Sequence, residues 1–195
     1  FGIAACKGEF HSFLLVLSIK LSSCFCHHGK LLLFGSFAYR PVYYSISSID
    51  DILILDELKS KVVYVDIWGT HCGPCIKEFA NLHELKTRLK TDSVVFLYLC
   101  NPYKLKWDKK NAKLWKELIL EHDLAGINIL MSAECYMDGF YEKYKDKFSP
   151  QTMYAIPRYF LVNKDGEIVN FSAPRPSSKE ELYSAMQALL EENCP

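Results

Sequence analysis

The stretch "VDIWGTHCGPC", Val65 to Cys75, decides how this chain is read. An apolar, β-branched run carries Asp66 and Trp68 into a short turn, and the turn delivers two cysteines that enclose Gly73 and Pro74. Three chemistries use a C-x-x-C: a redox couple, half of a zinc site, or a fixed disulfide. The residues on either side of it weigh one against another.

A thiolate, not a thiol, attacks a disulfide, so a redox cysteine needs something that stabilises negative charge. Cys72 falls where a buried strand gives way to a helix, so unpaired backbone N–H groups and the helix dipole point at its sulfur. Gly73 lets the ring between the two sulfurs close. Pro74 begins the helix without removing a needed N–H and stiffens that ring. Cys75 then lies one helical position deeper, which makes an exposed attacker and a sheltered resolver. A zinc site needs a second pair of ligands. Downstream, His83, Cys100, His122 and Cys135 stand isolated, so no metal is expected. Asp66 sits among Val62, Val63, Val65 and Ile67. A carboxyl buried there is raised above its ordinary range and suits a proton acceptor working near neutrality; at the strand end it would simply be hydrated. A fixed clasp remains the alternative to the redox couple.

Composition sets the outer bounds. The 195 residues are 50% hydrophobic and 24% charged, which is globular and long enough for one well-buried domain with an appendage. Twenty-three Lys and Arg balance 23 Asp and Glu, so bulk charge points to neither nucleic acid nor an anionic membrane. The eight cysteines are otherwise scattered and imply no disulfide framework. Residues 1–41 show no sustained period. Phe13–Cys24, "FLLVLSIKLSSC", reads as the tail of an export signal, with "LSSC" loosely like a lipoprotein cleavage site, or as part of an upstream domain. Lys20 and Glu9 argue against the export reading, and the run is too short to span a bilayer. The metal-capable residues of "CFCHHGK" lack zinc-loop spacing.

From Val42 the order is strand and helix in alternation. "VYYSI" and "ILIL" read as short strands, "VVYVDIW" as a strand buried on both faces, and "GPCIKEFANLHELKTRLK" as one helix. "SVVFLYL" is a second buried strand, "DKKNAKLWKELILEH" an amphipathic helix, "INILM" a brief strand and "FYEKYKDKF" a short helix. "RYFLV" and "EIVNF" flank the turn signal "NKDG", and "SKEELYSAMQALLEEN" closes as a helix with Ser177 or Ser178 as N-cap. This alternation predicts a three-layer α/β/α domain over 42–195 with a mixed central sheet, preceded by the 1–41 extension. Six lysines between Lys104 and Lys116 read as a solvated helix face, Trp107 and Trp115 as packing residues, and Cys100 and Cys135 as core thiols. "APRPSS" reads as an extended turn.

"VVYVDIWGTHCGPCIKEF" and the later "AIPRYFLVNKDGEIV" together resemble the thioredoxin superfamily, and most closely its envelope-located TlpA/ResA-type thiol–disulfide oxidoreductases. The resemblance covers roughly residues 42–192. It implies Cys72 as nucleophile, Cys75 as resolving thiol, and Asp66 as the buried acid assisting Cys75. Pro157 would be a cis-proline facing the disulfide, Ile156 would present backbone to an extended substrate, and Trp68 would pack beneath the site. Glu78 matches an acidic position that tunes the thiols, although an acid in a first helical turn also simply favours the dipole. Gly73, Pro74 and His71 complete the substrate-facing rim. Implied partners are disulfide-containing protein substrates and an upstream thiol donor, with no cofactor, in a bacterial periplasm or envelope; membrane anchoring is compatible. Gly69 and His71 stand where relatives often carry Ala and Trp, and Ala80 where they often carry Pro. His71 is then either a surface residue or, protonated, a stabiliser of the Cys72 thiolate. A peroxiredoxin-like peroxidase needs Thr or Ser three residues before its cysteine, where this chain has Gly69.

Overall fold

The computed structural model describes residues 42–46, 48–89, 92–101, 109–149 and 154–192. The 1–41 extension, its C-x-C-H-H cluster, Lys104, Lys106 and Trp107 lie outside the described residues. Six strands form one sheet in the order β1-β4-β3-β2-β5-β6. They are β1 (Val42–Ile46), β2 (Val62–Trp68), β3 (Val94–Cys100), β4 (Ile127–Met131), β5 (Arg158–Val162) and β6 (Ile168–Asn170). β1, β4, β3 and β2 run parallel, while β5 pairs antiparallel with β2 and β6 antiparallel with β5, so the sheet is mixed as predicted.

β2 is buried along its whole length, as a β-branched run between two helical layers must be. Its alternation sorts the core. Tyr64 and Trp68 meet Phe79, Leu82, Leu85, Trp115, Leu182 and Met186 on one face. These come from α2 (Gly73–Phe79), α3 (Leu82–Arg88), α4 (Lys109–Glu121) and α6 (Glu180–Glu191). Val63, Val65 and Ile67 meet Ile49, Ile52, Cys135, Phe140 and Phe160 on the other. There α1 (Ile49–Leu53) and α5 (Ala133–Tyr136) cover the sheet, and α5 widens into a π-helical turn, Met137–Glu142, that seats Phe140. Trp115 and Cys135 are packing residues as expected, and Cys100 lies in the first core. Burial pushes the Cys135 thiol up to about 12.

Three expectations are corrected. "ILIL", Ile52–Leu55, is the end of α1 and the turn after it rather than a strand. Ser48 caps that helix by accepting the Asp50 N–H, Asp50 and Asp51 favour its start, and Ile54 is exposed. A four-residue apolar run does not by itself set a period. The helix after the cysteines is two helices, because the Asn81 N–H bonds the Glu78 carbonyl, a tightened turn that ends α2. No Gly or Pro announces the break. Neither Ser177 nor Ser178 caps α6: Pro176–Ser178 is a 3₁₀ turn, and Lys179, at φ 43°, is the residue flanking the helix.

Candidate active site

The turn between β2 and α2 builds the site. The Cys72 N–H returns to the Gly69 carbonyl at 3.0 Å, and the extended backbone of Cys72 then caps α2, with Pro74 in its first turn. Cys72 and Cys75 are joined as a disulfide, S–S 1.97 Å, and the Cys75 N–H donates to Cys72 Sγ at 3.2 Å. Cys75 is fully buried, Cys72 half-buried, and His71, Gly73 and Pro74 are exposed. One sulfur therefore reaches solvent and the other does not, the asymmetry expected from their helical positions.

Gly69 has a steric reason. A Cβ there would lie 2.4 Å from Asn101 Oδ1 and 3.1 Å from Ile156 Cδ1. The missing methyl lets Asn101, at the end of β3, and Ile156 close against the base of the cysteine turn. The Ile156–Pro157 peptide bond is cis, and both residues are half-buried. His71 faces outward and its Nε2 lies 3.3 Å from Asn111 Oδ1 at the start of α4. Trp68 is fully buried beneath the turn, edge-on to Phe79 at 5.1 Å.

Two carboxyl groups near each other, Asp66 on β2 and Glu78 on α2, stand in unlike surroundings. Asp66, two residues from both Tyr64 and Trp68 on β2, shares their face by strand parity. It is 1% exposed, and neither of its oxygens has a hydrogen-bond partner among the described residues. Tyr98 on β3 and Tyr159 on β5 are its cross-strand neighbours. Burial first, and then the negative charge of Glu78, raises the Asp66 carboxyl well above the usual carboxylate range. Burial and then Asp66 raise the Tyr64 and Tyr159 phenols in turn; Tyr64 donates to the Pro174 carbonyl at 2.8 Å. Glu78 is 9% exposed and its two oxygens are both engaged. One accepts the Ser177 N–H at 2.9 Å, and the other accepts the Ser177 hydroxyl at 3.0 Å and lies 4.0 Å from Arg175 Nη1.

The fold thus places Cys72, Cys75 and Glu78 on or at the start of α2, Trp68 packed against its Phe79, Asp66 on the same face of β2 as Trp68, and Ile156 against Gly69. Sequence reasoning missed Asn101, Asn111, Tyr159, Arg175 and Ser177. Tyr159 had a signal, since strand parity after Pro157 directs it to the face that Asp66 shares. Ser177 lies 99 residues from Glu78 and had none. Among the described residues no group of three or more His, Cys, Asp or Glu is placed to hold a metal ion, and no helix is long and apolar enough to cross a membrane.

Comparison with known proteins places the chain in a family. The Redoxin family model matches residues 52–188, most of the chain. A thiol-disulfide oxidoreductase ResA of Bacillus cereus (strain ZK / E33L) is 26% identical over 136 residues, 69% of this chain and 67% of that protein. The C-terminal domain of a Bacteroides thetaiotaomicron protein assigned as a thiol-disulfide oxidoreductase shares the fold: TM-score 0.52, 20% identity, 71% of this chain and 83% of that one. A thiol:disulfide interchange protein from Bacteroides sp. also aligns, with TM-score 0.48, 21% identity, and coverage of 71% and 78%. The family match spans both the cysteine turn and the cis-proline hairpin, and the chain belongs to the Redoxin family as a TlpA/ResA-like member of the thioredoxin superfamily.

Proposed function

We propose that this chain is a thiol–disulfide oxidoreductase that reduces disulfides in protein substrates, with Cys72 as its nucleophile and Cys75 as its resolving thiol. One observation carries the reading: a disulfide with one sulfur half-exposed and the other fully buried, packed on the same core face of β2 to which the buried Asp66 belongs. In the reduced protein the Cys72 thiolate attacks one sulfur of a substrate disulfide. The Cys72–substrate bond forms, the substrate S–S bond breaks, and the leaving thiolate takes up a proton. Cys75 then gives its proton toward Asp66 and attacks Cys72 Sγ, which releases the second substrate thiol. Two electrons and two protons pass to the substrate, and the Cys72–Cys75 disulfide is regenerated. A thiol donor outside this chain must reduce it again.

Asp66 suits the acceptor role because its environment raises its proton affinity toward that of a thiol, and proton transfer is most effective between matched groups. Taking up a proton removes the charge whose burial is unfavourable. His71, Gly73 and Pro74 form the exposed rim around the reactive sulfur, and Ile156 and Pro157 offer backbone to an extended chain. Trp68 holds the floor of the turn by packing. The reducing direction rests on the Gly-Pro dipeptide, shared with thioredoxin at about −270 mV against about −120 mV for the oxidant DsbA. An envelope or periplasmic location, with residues 1–41 lying outside the catalytic domain of 42–195, follows from the family resemblance; fractionation of cells carrying the whole protein tests it.

Turnover decides between an enzyme and a fixed clasp. With dithiothreitol as donor, the protein should accelerate reduction of insulin disulfides, and Cys72→Ser should abolish this. Cys75→Ser should accumulate a mixed disulfide with substrate at Cys72. A pair that resists mild dithiol, with no acceleration, would mark the disulfide as structural.

A further inference from the structure

The turn "APRPSS" that leads into α6 places two donors on a carboxylate of the redox helix itself. Glu78 follows Cys75 by three residues, on the same face of α2. Cys72 caps α2, and Cys75 and Glu78 lie within this helix of about two turns, anchored by Phe79 against Trp68. Glu78 is buried, and among the described residues it accepts two hydrogen bonds from Ser177: main-chain N–H to one oxygen and hydroxyl to the other. Arg175, from the same turn, adds a partly exposed cation at 4.0 Å. Pro176 is buried and fixes the turn between them.

We propose that Arg175 and Ser177 are positioning residues for the thiol chemistry: they clamp the Glu78 carboxylate, and through it set the charge that the Cys72–Cys75 pair experiences. The inference rests on the redox reading above and deepens it. Two hydrogen bonds to a buried carboxylate disperse its charge in a low-dielectric setting, where an unscreened charge acts most strongly on its neighbours. The neighbours are the groups the reaction uses. Glu78 acts on Asp66 and Tyr64 of β2 and on Tyr159 of β5. Further titratable groups around that cluster include Tyr98 and Cys100 of β3, Lys86 of α3 over the Tyr98 ring, His122 against Phe79, and Arg175 from the turn; His71 borders Cys72 on the solvent side. Removing the Ser177 hydroxyl leaves more of the Glu78 charge uncompensated. The sign follows directly: added negative potential beside the pair holds both thiols protonated to higher pH. The nucleophilic thiolate of Cys72 therefore becomes scarcer at neutral pH.

The test is the pH titration of Cys72 in the reduced protein, followed by its rate of alkylation with iodoacetamide. Ser177→Ala should lower the apparent acid constant of Cys72 about 3- to 10-fold, and Arg175→Ala about 2-fold, because that guanidinium is more exposed to solvent. Ser177→Thr, which keeps both donors, should restore the wild-type curve. In a Glu78→Gln background Ser177→Ala should add nothing, since the carboxylate it acts through is gone. A structural role for Ser177 would instead lower the unfolding midpoint and leave the titration in place. An unchanged Cys72 titration in Ser177→Ala, or the same shift surviving in Glu78→Gln, overturns the clamp. The readout needs no substrate, so failure of the wild-type protein to reduce insulin would count against the redox reading and not against this inference.

Discussion

Asp66 is the residue on which the chemistry turns, and its burial has a consequence for stability as well as for catalysis. Its folded-state proton affinity is raised by desolvation and then by Glu78. A carboxyl raised in this way adds stability below the unfolded carboxylate range that is lost as pH rises through its folded value. Asp66→Asn should remove that loss, so that chemical denaturation at pH 8 finds the variant gaining on wild type relative to pH 5. The same substitution removes the proton acceptor for Cys75 and should slow insulin reduction at least about 10-fold. Equal pH dependence in both proteins would mean Asp66 is hydrated and ordinary. Gly69 carries a steric prediction. Gly69→Ala places a methyl against Asn101 Oδ1 and should cost about 1–3 kcal/mol in denaturant unfolding, with Asn101→Ala recovering part of it. Asp66 was legible in the sequence because an acid inside a β-branched run has few places to go. The pairing of Gly69 with Asn101, and of Glu78 with Ser177, was not: side chains that meet across the sheet leave no local spacing to read.

At the scale of elements, strands were easier to read than helices. A run such as Val62–Trp68 is buried on both faces whatever surrounds it, so composition alone identifies it. "ILIL" has the same composition over fewer residues, and the Ser48 cap and following acids outweighed it. The break between α2 and α3 was hidden because Ala80 and Asn81 carry no obligate turn signal; the tightened bond from Asn81 to Glu78 decides it. The π-helical turn after α5 was also unreadable, since it exists to seat Phe140, which packs on Tyr141, Tyr144, Phe148 and Phe160. Phe140 is fully buried in the core remote from the cysteine helix. Phe140→Ala should therefore cost about 3–5 kcal/mol in unfolding free energy while leaving insulin reduction near wild type well below the melting midpoint. Loss of turnover in proportion to a small stability change would tie that core to the site.

For the whole molecule, the layered order of strands and helices was recoverable because the parallel strands and their helices alternate along the chain. The crossing of β5 and β6 to the other side of β2 brings Ile156, whose bond to Pro157 is cis, against Gly69 at the start of the cysteine turn, and that juxtaposition belongs to topology rather than to any one segment. The domain proposal of 42–195 predicts that a protein beginning at Val42 keeps cooperative unfolding and full insulin turnover. Beginning at Ser48 removes β1, exposes the edge of β4 and should lower the melting midpoint by several degrees. Dependence of turnover on residues 1–41 would place part of the site there. The central claim, a C-x-x-C that works as a reductant, is met most directly by the equilibrium reduction potential of the Cys72–Cys75 pair in a glutathione series. A reductant should give a value near that of thioredoxin, about −270 mV. A value near DsbA's, about −120 mV, would contradict it and turn attention to His71 as the source of the oxidising shift.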